Sequence, residues 1–226
     1  MLRKIFNLFK ILRKLSISGA VDVLDEIKPM PKVLKLIFYI FSFGSNNKIE
    51  KLNRTSGEKL CEALQSMGTT FIKLGQFLAT RPDIIGEEIA KNLEKLQDKL
   101  PAFNTDEAKK IVKKQIGQKS FDNIISFENP IAAASIAQVH FAKIKIDDSE
   151  KEIAIKILRP NIHKIVNEEL DAMMFLAYII ENLFLKTKRL KLIEIIHLLK
   201  EITNVEMDLR FEAAAANELY ENTKND

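Results

Sequence analysis

Cysteine occurs once in the 226 residues, at Cys61, so no internal disulfide can form and four-thiol zinc sites are excluded by count. A lone thiol of this kind is expected to sit buried in a reducing compartment. Acidic residues are missing from Met1 to Val21, where Arg3, Lys4, Lys10, Arg13 and Lys14 are basic. Long apolar runs are missing too. The longest is Leu36 to Phe43, and a spanning helix needs roughly 20 apolar residues. The N-terminus has no small-residue cleavage site after a compact apolar core, so a secretory signal is not expected. The net charge of +4 is too small to argue for nucleic acid, and no nucleic-acid partner is expected. There is no internal repeat and no low-complexity segment. What is present is a foldable composition, 46% hydrophobic and 29% charged, long enough for one large domain or two small ones.

Residues 2 to 17 place Leu2, Ile5, Phe6, Phe9, Leu12 and Leu15 at helical spacing, with Arg3, Lys4, Asn7, Lys10, Arg13 and Lys14 mainly opposite. Three readings fit this basic amphipathic helix: one lying on an anionic membrane, one docked on the protein core, and a mitochondrial-type presequence. The aromatic-rich segment Leu36 to Phe43 favours membrane contact. Pro29 and Pro31 separate the first helical pieces, and Gly44 to Asn47 reads as a loop. Residues 55 to 79 read as one long helix with Leu60, Leu64, Met67, Phe71, Leu74 and Leu78 on a stripe. It stops at Pro82, and Asp83 to Leu96 resumes with Ile85, Ile89, Leu93 and Leu96 inward. Thr105 is expected to cap the next helix and Gly117 to end it. Strands are expected at Ile124 to Glu128, Ser135 to Ile146 and Glu152 to Leu158, with Asp147-Asp148-Ser149 as a hairpin turn. Helical pattern returns at Ile162, and again from Leu190 to the end.

The strand region carries the chemistry. Asn129 to His140 forms a strand, a small-residue loop Ala132-Ala133-Ala134-Ser135 and a second strand. A third strand, Ile153-Ala154-Ile155-Lys156, carries one lysine and leads into Arg159-Pro160. This order is that of the phosphate-facing hairpin of a kinase small lobe, where a third-strand lysine holds nucleotide phosphates. Kinases place glycines in the loop so that backbone N–H groups close over the phosphates. Alanine still permits close approach, although three alanines also serve plain packing. An edge-strand lysine pointing to solvent is the other reading of Lys156.

A lysine of this kind needs a carboxylate on a nearby helix. Val205 to Ala214 reads as a continuous helix carrying Glu206, Asp208 and Glu212. At about 100° per residue Glu206 and Asp208 point in nearly opposite directions, so they are expected to serve different partners. Glu206 would share a face with Arg210, and Asp208 one with Glu212. On the earlier long helix, Lys73 and Gln76 share a face, and Gly75 between them permits close approach.

The combination of Lys73-Leu74-Gly75-Gln76, Arg81-Pro82-Asp83, Leu96-Gln97-Asp98, the alanine loop, the lysine strand and Glu206-Met207-Asp208 resembles the UbiB family of atypical kinase-like proteins, linked to ubiquinone (coenzyme Q) biosynthesis. The resemblance runs from about Ser56 to Asp226. Ala79 stands where the family usually has serine, and Gly86 where proline is common. The residue pattern and the resemblance together give an α+β fold in three parts: a basic amphipathic and apolar helical segment at 1–54, read from the pattern, and, implied by the resemblance, a helical extension at 55–120 and a kinase-like small lobe at 121–226. It implies that Ala132, Ala133, Ala134 and Ser135 replace the glycine loop, that Lys156 contacts phosphates, and that Glu206 pairs with Lys156. Lys73 and Gln76 would belong to an extension folded over the site, with Asp208 facing it, plausibly toward Lys73, and Glu212 at a further family position. ATP or ADP with Mg would be the cofactors. The partners implied are a nucleotide, a separate chain supplying the large lobe, and an anionic membrane or isoprenoid lipid. The place would be the cytoplasmic side of an inner membrane, or a mitochondrion. The chain ends before a kinase large lobe, so by itself it is expected to be inactive. A non-catalytic membrane-associated binding module and a degraded gene remnant are the other two readings.

Overall fold

The computed structural model describes residues 2–27, 29–43, 55–96, 100–147, 149–183 and 185–224. The fold is α+β, helices with one three-stranded antiparallel sheet. By contact the chain divides into two units, Met1–Gln97 with Lys164–Thr203, and Asp98–His163 with Asn204–Asp226. The expected boundaries at 54/55 and 120/121 do not separate these units, because residues 164–203 group with the N-terminal helices.

The helical unit begins with α1 (Leu2–Ile17), α2 (Ala20–Ile27) and α3 (Lys32–Ser42), with α1 packed on both others. Gly19, at φ 78, separates α1 from α2, a break the sequence reading did not mark. Leu12, Val21, Leu34 and Phe38 form a buried cluster, with Leu8, Leu15, Met30, Phe41 and Leu176 against it. The inward face of α1 therefore carries Leu8, Ile11, Leu12 and Leu15, while Phe6 and Phe9 point out beside Lys10 and Arg13. That face is rotated from the stripe expected from periodicity, because the core is built from what α2, α3 and Leu176 present.

The expected helix over 55–79 is two helices, α4 (Ser56–Met67) and α5 (Thr69–Ala79), broken at Gly68 with φ 100. A residue with a Cβ is strained at such a φ, so the glycine sets the break. Thr55 and Glu58 close a capping box at the start of α4. Leu60, Leu64, Met67 and Phe71 are buried as expected, but past the break Ile72 and Gly75 are inward and Leu74 and Leu78 only half-buried. Two shorter helices follow, α6 (Pro82–Ile85) and α7 (Glu87–Leu93), parted by Gly86 at φ 85. Ile89, Leu93 and Leu96 are buried and Ile85 half-buried.

One ion pair ties this unit together. Lys14 Nζ lies 2.7 Å from Glu169 Oε1, donates to the carbonyl of Met67 at 3.0 Å, and sits 5.8 Å from the centre of the Phe71 ring. Thr70 Oγ1, fully buried, donates to the other Glu169 oxygen at 2.6 Å. Lys14 was expected on the basic side of its helix; it is instead the polar anchor between α1 and the start of α5.

The second unit holds α8 (Thr105–Ile116), α9 (Gln118–Phe121) and the meander β1 (Ile124–Ala133), β2 (Ala137–Ile146) and β3 (Ser149–Leu158). The cap of α8 is Asn104, not Thr105: its side chain accepts from the N–H groups of Asp106 and Glu107. Thr105 is the first helical residue and donates its hydroxyl to Asn129 instead. Gly117 ends the helix at φ 82, as expected. Asp147 turns the β2–β3 hairpin at φ 52, while Asp148, like Gln97, Asp98 and Gly44 to Asn47, lies outside the described residues. Ala108 and Val112 of α8 pack on Ile157, with Ile155 and Phe127 alongside, so α8 covers one face of the sheet. α10 (Ile162–Leu183), the 3-10 turn Leu185–Leu190, α11 (Leu192–Glu206) and α12 (Leu209–Thr223) complete the chain order.

Candidate nucleotide-phosphate site

The register of the sheet assembles the site. Ala132 pairs with Val139, and Val139 with Lys156. Directly paired residues stand on one face, so these three side chains form a row across the sheet. Their neighbours Ile155 and Ile157 point the other way, to α8. The ladder shifts between Pro130 and Ala132, a bulge next to a residue with no N–H to donate. This bulge puts Ala132, rather than Ile131, in the row with the lysine.

The loop that follows is short. The Ala134 N–H donates to the Ala137 carbonyl at 2.8 Å, closing the turn. The Arg159 guanidinium donates to the Ala134 carbonyl from Nε and Nη2 at 3.0 and 2.8 Å, and to the carbonyls of Pro101 and Leu100 at 3.0 and 3.3 Å. The Arg159 N–H binds the Ile136 carbonyl at 2.9 Å. Ser135 is fully buried, so its hydroxyl is not at the surface of the loop. Ala132 is exposed and Ala133 half-buried. Of the four loop residues, Ala134 has its N–H committed within the turn and Ser135 turns inward. Ala132 and Ala133 end β1 in the ladder with β2 and carry nothing larger than a methyl group.

A buried polar chain braces β2 beneath the site. Gln138 accepts from the Phe103 N–H at 2.9 Å, and its amide nitrogen lies 3.2 Å from the Phe103 carbonyl and 2.8 Å from His140 Nε2. His140 Nδ1 meets the Glu128 carbonyl at 2.8 Å. The amide nitrogen can only donate, so Nε2 accepts and Nδ1 carries the ring hydrogen. Sequence reasoning missed Gln138, His140 and the clamp by Arg159. All three act on backbone far away in sequence, and no local pattern announces that.

The carboxylate on Lys156 is Glu212 of α12, with Nζ to Oε2 2.5 Å. This corrects the expected pairing of Lys156 with Glu206. The chain does not run as one helix from Val205 to Ala214. α11 ends at Glu206, Met207 is buried, and Asp208 is the N-cap of α12, accepting from the Arg210 N–H at 3.1 Å. Its oxygens also accept a fork from Arg210, Nε at 2.8 Å and Nη2 at 2.5 Å. These bonds hold the Asp208 carboxyl well below the usual range, at about 2. Asp208 and Glu212 therefore do not share a face of one continuous helix. An aspartate before an alanine-rich run is a recognised start signal, and it was overlooked because the 3.6-residue periodicity runs on across the break. Glu212 lies in the first turn of α12, where a carboxylate is favoured by the helix dipole.

Lys156 and Glu212 are both accessible, with side chains 36% and 59% exposed, and Glu212 is the one partner of Lys156 among the described residues. An ammonium has three N–H bonds to give, so two are left for an incoming anion. Lys73 and Gln76 stand half-buried on α5 in the helical unit. Gly75 between them admits side chains rather than another backbone: a Cβ there would lie 2.2 Å from Leu96 Cδ1 and 2.9 Å from Leu64 Cδ1. Arg81 forks onto Asp83 at 2.8 and 2.7 Å. Burial pushes the Cys61 thiol up, away from thiolate reactivity.

Residues 95–226, more than half of the chain, match the ABC1 atypical kinase-like domain. The chain is 39% identical over 225 residues to a probable protein kinase UbiB from Histophilus somni, covering 98% of this chain and 40% of that protein. It is 32% identical over 205 residues to the Marinobacter nauticus protein of the same description, covering 90% of this chain and 36% of the relative. A Pseudomonas aeruginosa protein so described is 38% identical over 202 residues, covering 89% and 37%. The chain thus spans about 40% or less of the length of these relatives. It belongs to the UbiB family of ABC1-type atypical kinase-like proteins.

Proposed function

We propose that the row Ala132–Val139–Lys156, with Glu212 on the lysine, is the phosphate-binding half of an ATP or ADP site in an atypical kinase or ATPase that supports ubiquinone biosynthesis. The observation that carries this reading is the Lys156–Glu212 pair on the sheet face opposite α8. An accessible pair of this kind contributes only about 0–1 kcal/mol to stability. It suits phosphate recognition, because the carboxylate fixes the direction of the ammonium while two N–H bonds stay available. The small loop residues Ala132 and Ala133 let a phosphate approach the backbone.

Phosphoryl transfer also uses magnesium, which bridges phosphate oxygens and neutralises charge when bound. Among the described residues no group of three or more His, Cys, Asp or Glu side chains converges to hold a metal. In this proposal the magnesium ligands and the residue that orients the acceptor belong to a large lobe outside these 226 residues, in the same polypeptide or a separate chain, in keeping with relatives of which this chain covers 40% or less. These residues alone would bind nucleotide without turning it over. Lys73 and Gln76 on α5, with Asp208 at the start of α12 as their counterpart, remain proposed as a regulatory extension on the strength of the family pattern.

Peripheral attachment to the cytoplasmic face of an inner membrane, or to a mitochondrial membrane, belongs to the same reading. Among the described residues no helix is long and apolar enough to cross a membrane. Calorimetry of the purified chain with ATP or ADP and magnesium tests the nucleotide part. Binding abolished by Lys156→Ala is the expected result; a folded parent that binds no nucleotide contradicts it.

A further inference from the structure

We infer that the outward face of α3, joined by the exposed side of α1, is a docking face for an anionic lipid bilayer surface. The inference deepens the peripheral-attachment reading above by naming the surface that makes it.

The outer side of α3 is apolar from end to end. Val33, Leu36, Tyr39, Ile40 and Phe43 are 62%, 58%, 68%, 61% and 80% exposed. Positions 33, 36, 40 and 43 follow the helical repeat, so these side chains share one face. Leu34 and Phe38 on the opposite side are buried against α1 and α2. A soluble protein rarely leaves a helix face this apolar uncovered. α1 extends it: Phe6 and Phe9 are exposed, and the Phe9 ring lies 5.2 Å from that of Phe41.

Charge identifies the occupant. Lys10, Arg13 and Lys32 are exposed, and none has an ion-pair partner among the described residues. Of the acids that precede α3, Asp25 is neutralised by Lys35 at 2.6 Å. Apolar and aromatic side chains with unopposed cations match the interface of an anionic bilayer. A second copy of the same face would bring these cations against their own kind, which disfavours self-association. The exposed apolar residues of α12, Phe211, Leu219 and Tyr220, differ in this respect: Glu212, Glu218 and Glu221 accompany them. That face does not suit an anionic bilayer and serves as the control.

The test is flotation of the full 226-residue chain with phosphatidylcholine vesicles, with and without phosphatidylglycerol. Binding is expected with the anionic lipid and at least about tenfold weaker without it. Leu36→Glu with Ile40→Glu should lower binding at least about tenfold, because two charges enter the apolar contact. Both sites are exposed, and the circular dichroism and melting of this variant should match the parent. Lys10→Gln with Arg13→Gln gives an independent reading if the first variant is unstable, and should lose about tenfold on anionic vesicles alone. Leu219→Glu with Tyr220→Glu should change nothing. Nucleotide calorimetry separates the two proposals: the α3 variant should still bind nucleotide, and Lys156→Ala should still bind vesicles. The inference is overturned if the α3 and α1 variants float like the parent, or if the α12 variant loses binding equally. It is also overturned if sedimentation shows a parent dimer that the α3 variant dissolves.

Discussion

Two lysine–glutamate pairs stand in the two units at similar distances, Lys14–Glu169 at 2.7 Å and Lys156–Glu212 at 2.5 Å. Distance does not tell them apart; surroundings do. Lys14 also bonds a backbone carbonyl and faces a ring, and Glu169 receives a fully buried threonine hydroxyl. Every strong donor there has a use within the fold. Lys156 and Glu212 have only each other among the described residues, in water. The first pair is an anchor between helices. The second contributes little to folding and is free to meet a ligand.

That contrast can be broken by mutation. Glu169→Ala leaves the half-buried Lys14 ammonium and the buried Thr70 hydroxyl without their acceptor. A loss of about 2–3 kcal/mol is expected in chemical unfolding, somewhat below the 3–5 kcal/mol of a fully buried pair. Glu212→Ala should cost less than about 1 kcal/mol by the same measurement. Equal losses at the two sites would erase the distinction between anchor and ligand site. The smallest effect concerns pH. The folded Asp208 pKa lies below its ordinary 3.8, at about 2, so its capping contribution is fully present above 3.8 and is lost as pH falls through about 2. A carboxyl-carbon NMR titration should find the Asp208 midpoint well below the ordinary aspartate value of 3.8. An ordinary midpoint would mean that the Asp208–Arg210 fork is not held in solution.

Much of the fold was legible in local pattern. The three strands were visible as alternating and β-branched runs, and Lys156 stood out because a lone cation closes such a run. Gly117 was found as a helix end because a glycine after the last apolar turn is a strong stop. Three of the failures share one cause. Gly19, Gly68 and Asp208 break helices whose apolar periodicity carries on through the break, so the repeat concealed the interruption. The face of α1 was misjudged because which side of an amphipathic helix is buried depends on what packs against it. The choice of Glu212 over Glu206 followed from the break at Asp208. The Arg159 clamp and the Gln138–His140 chain rest on backbone groups distant in sequence, which no local pattern reveals.

The central claim is that Glu212, not Glu206, orients Lys156 for a nucleotide phosphate. Magnesium–ADP titrations of the parent chain, Lys156→Ala, Glu212→Gln and Glu206→Gln test it directly. The account predicts that Lys156→Ala and Glu212→Gln weaken binding at least about tenfold, the scale of one charge-assisted hydrogen bond, with Glu206→Gln within about twofold of the parent. Loss of binding with Glu206→Gln while Glu212→Gln binds like the parent would contradict it.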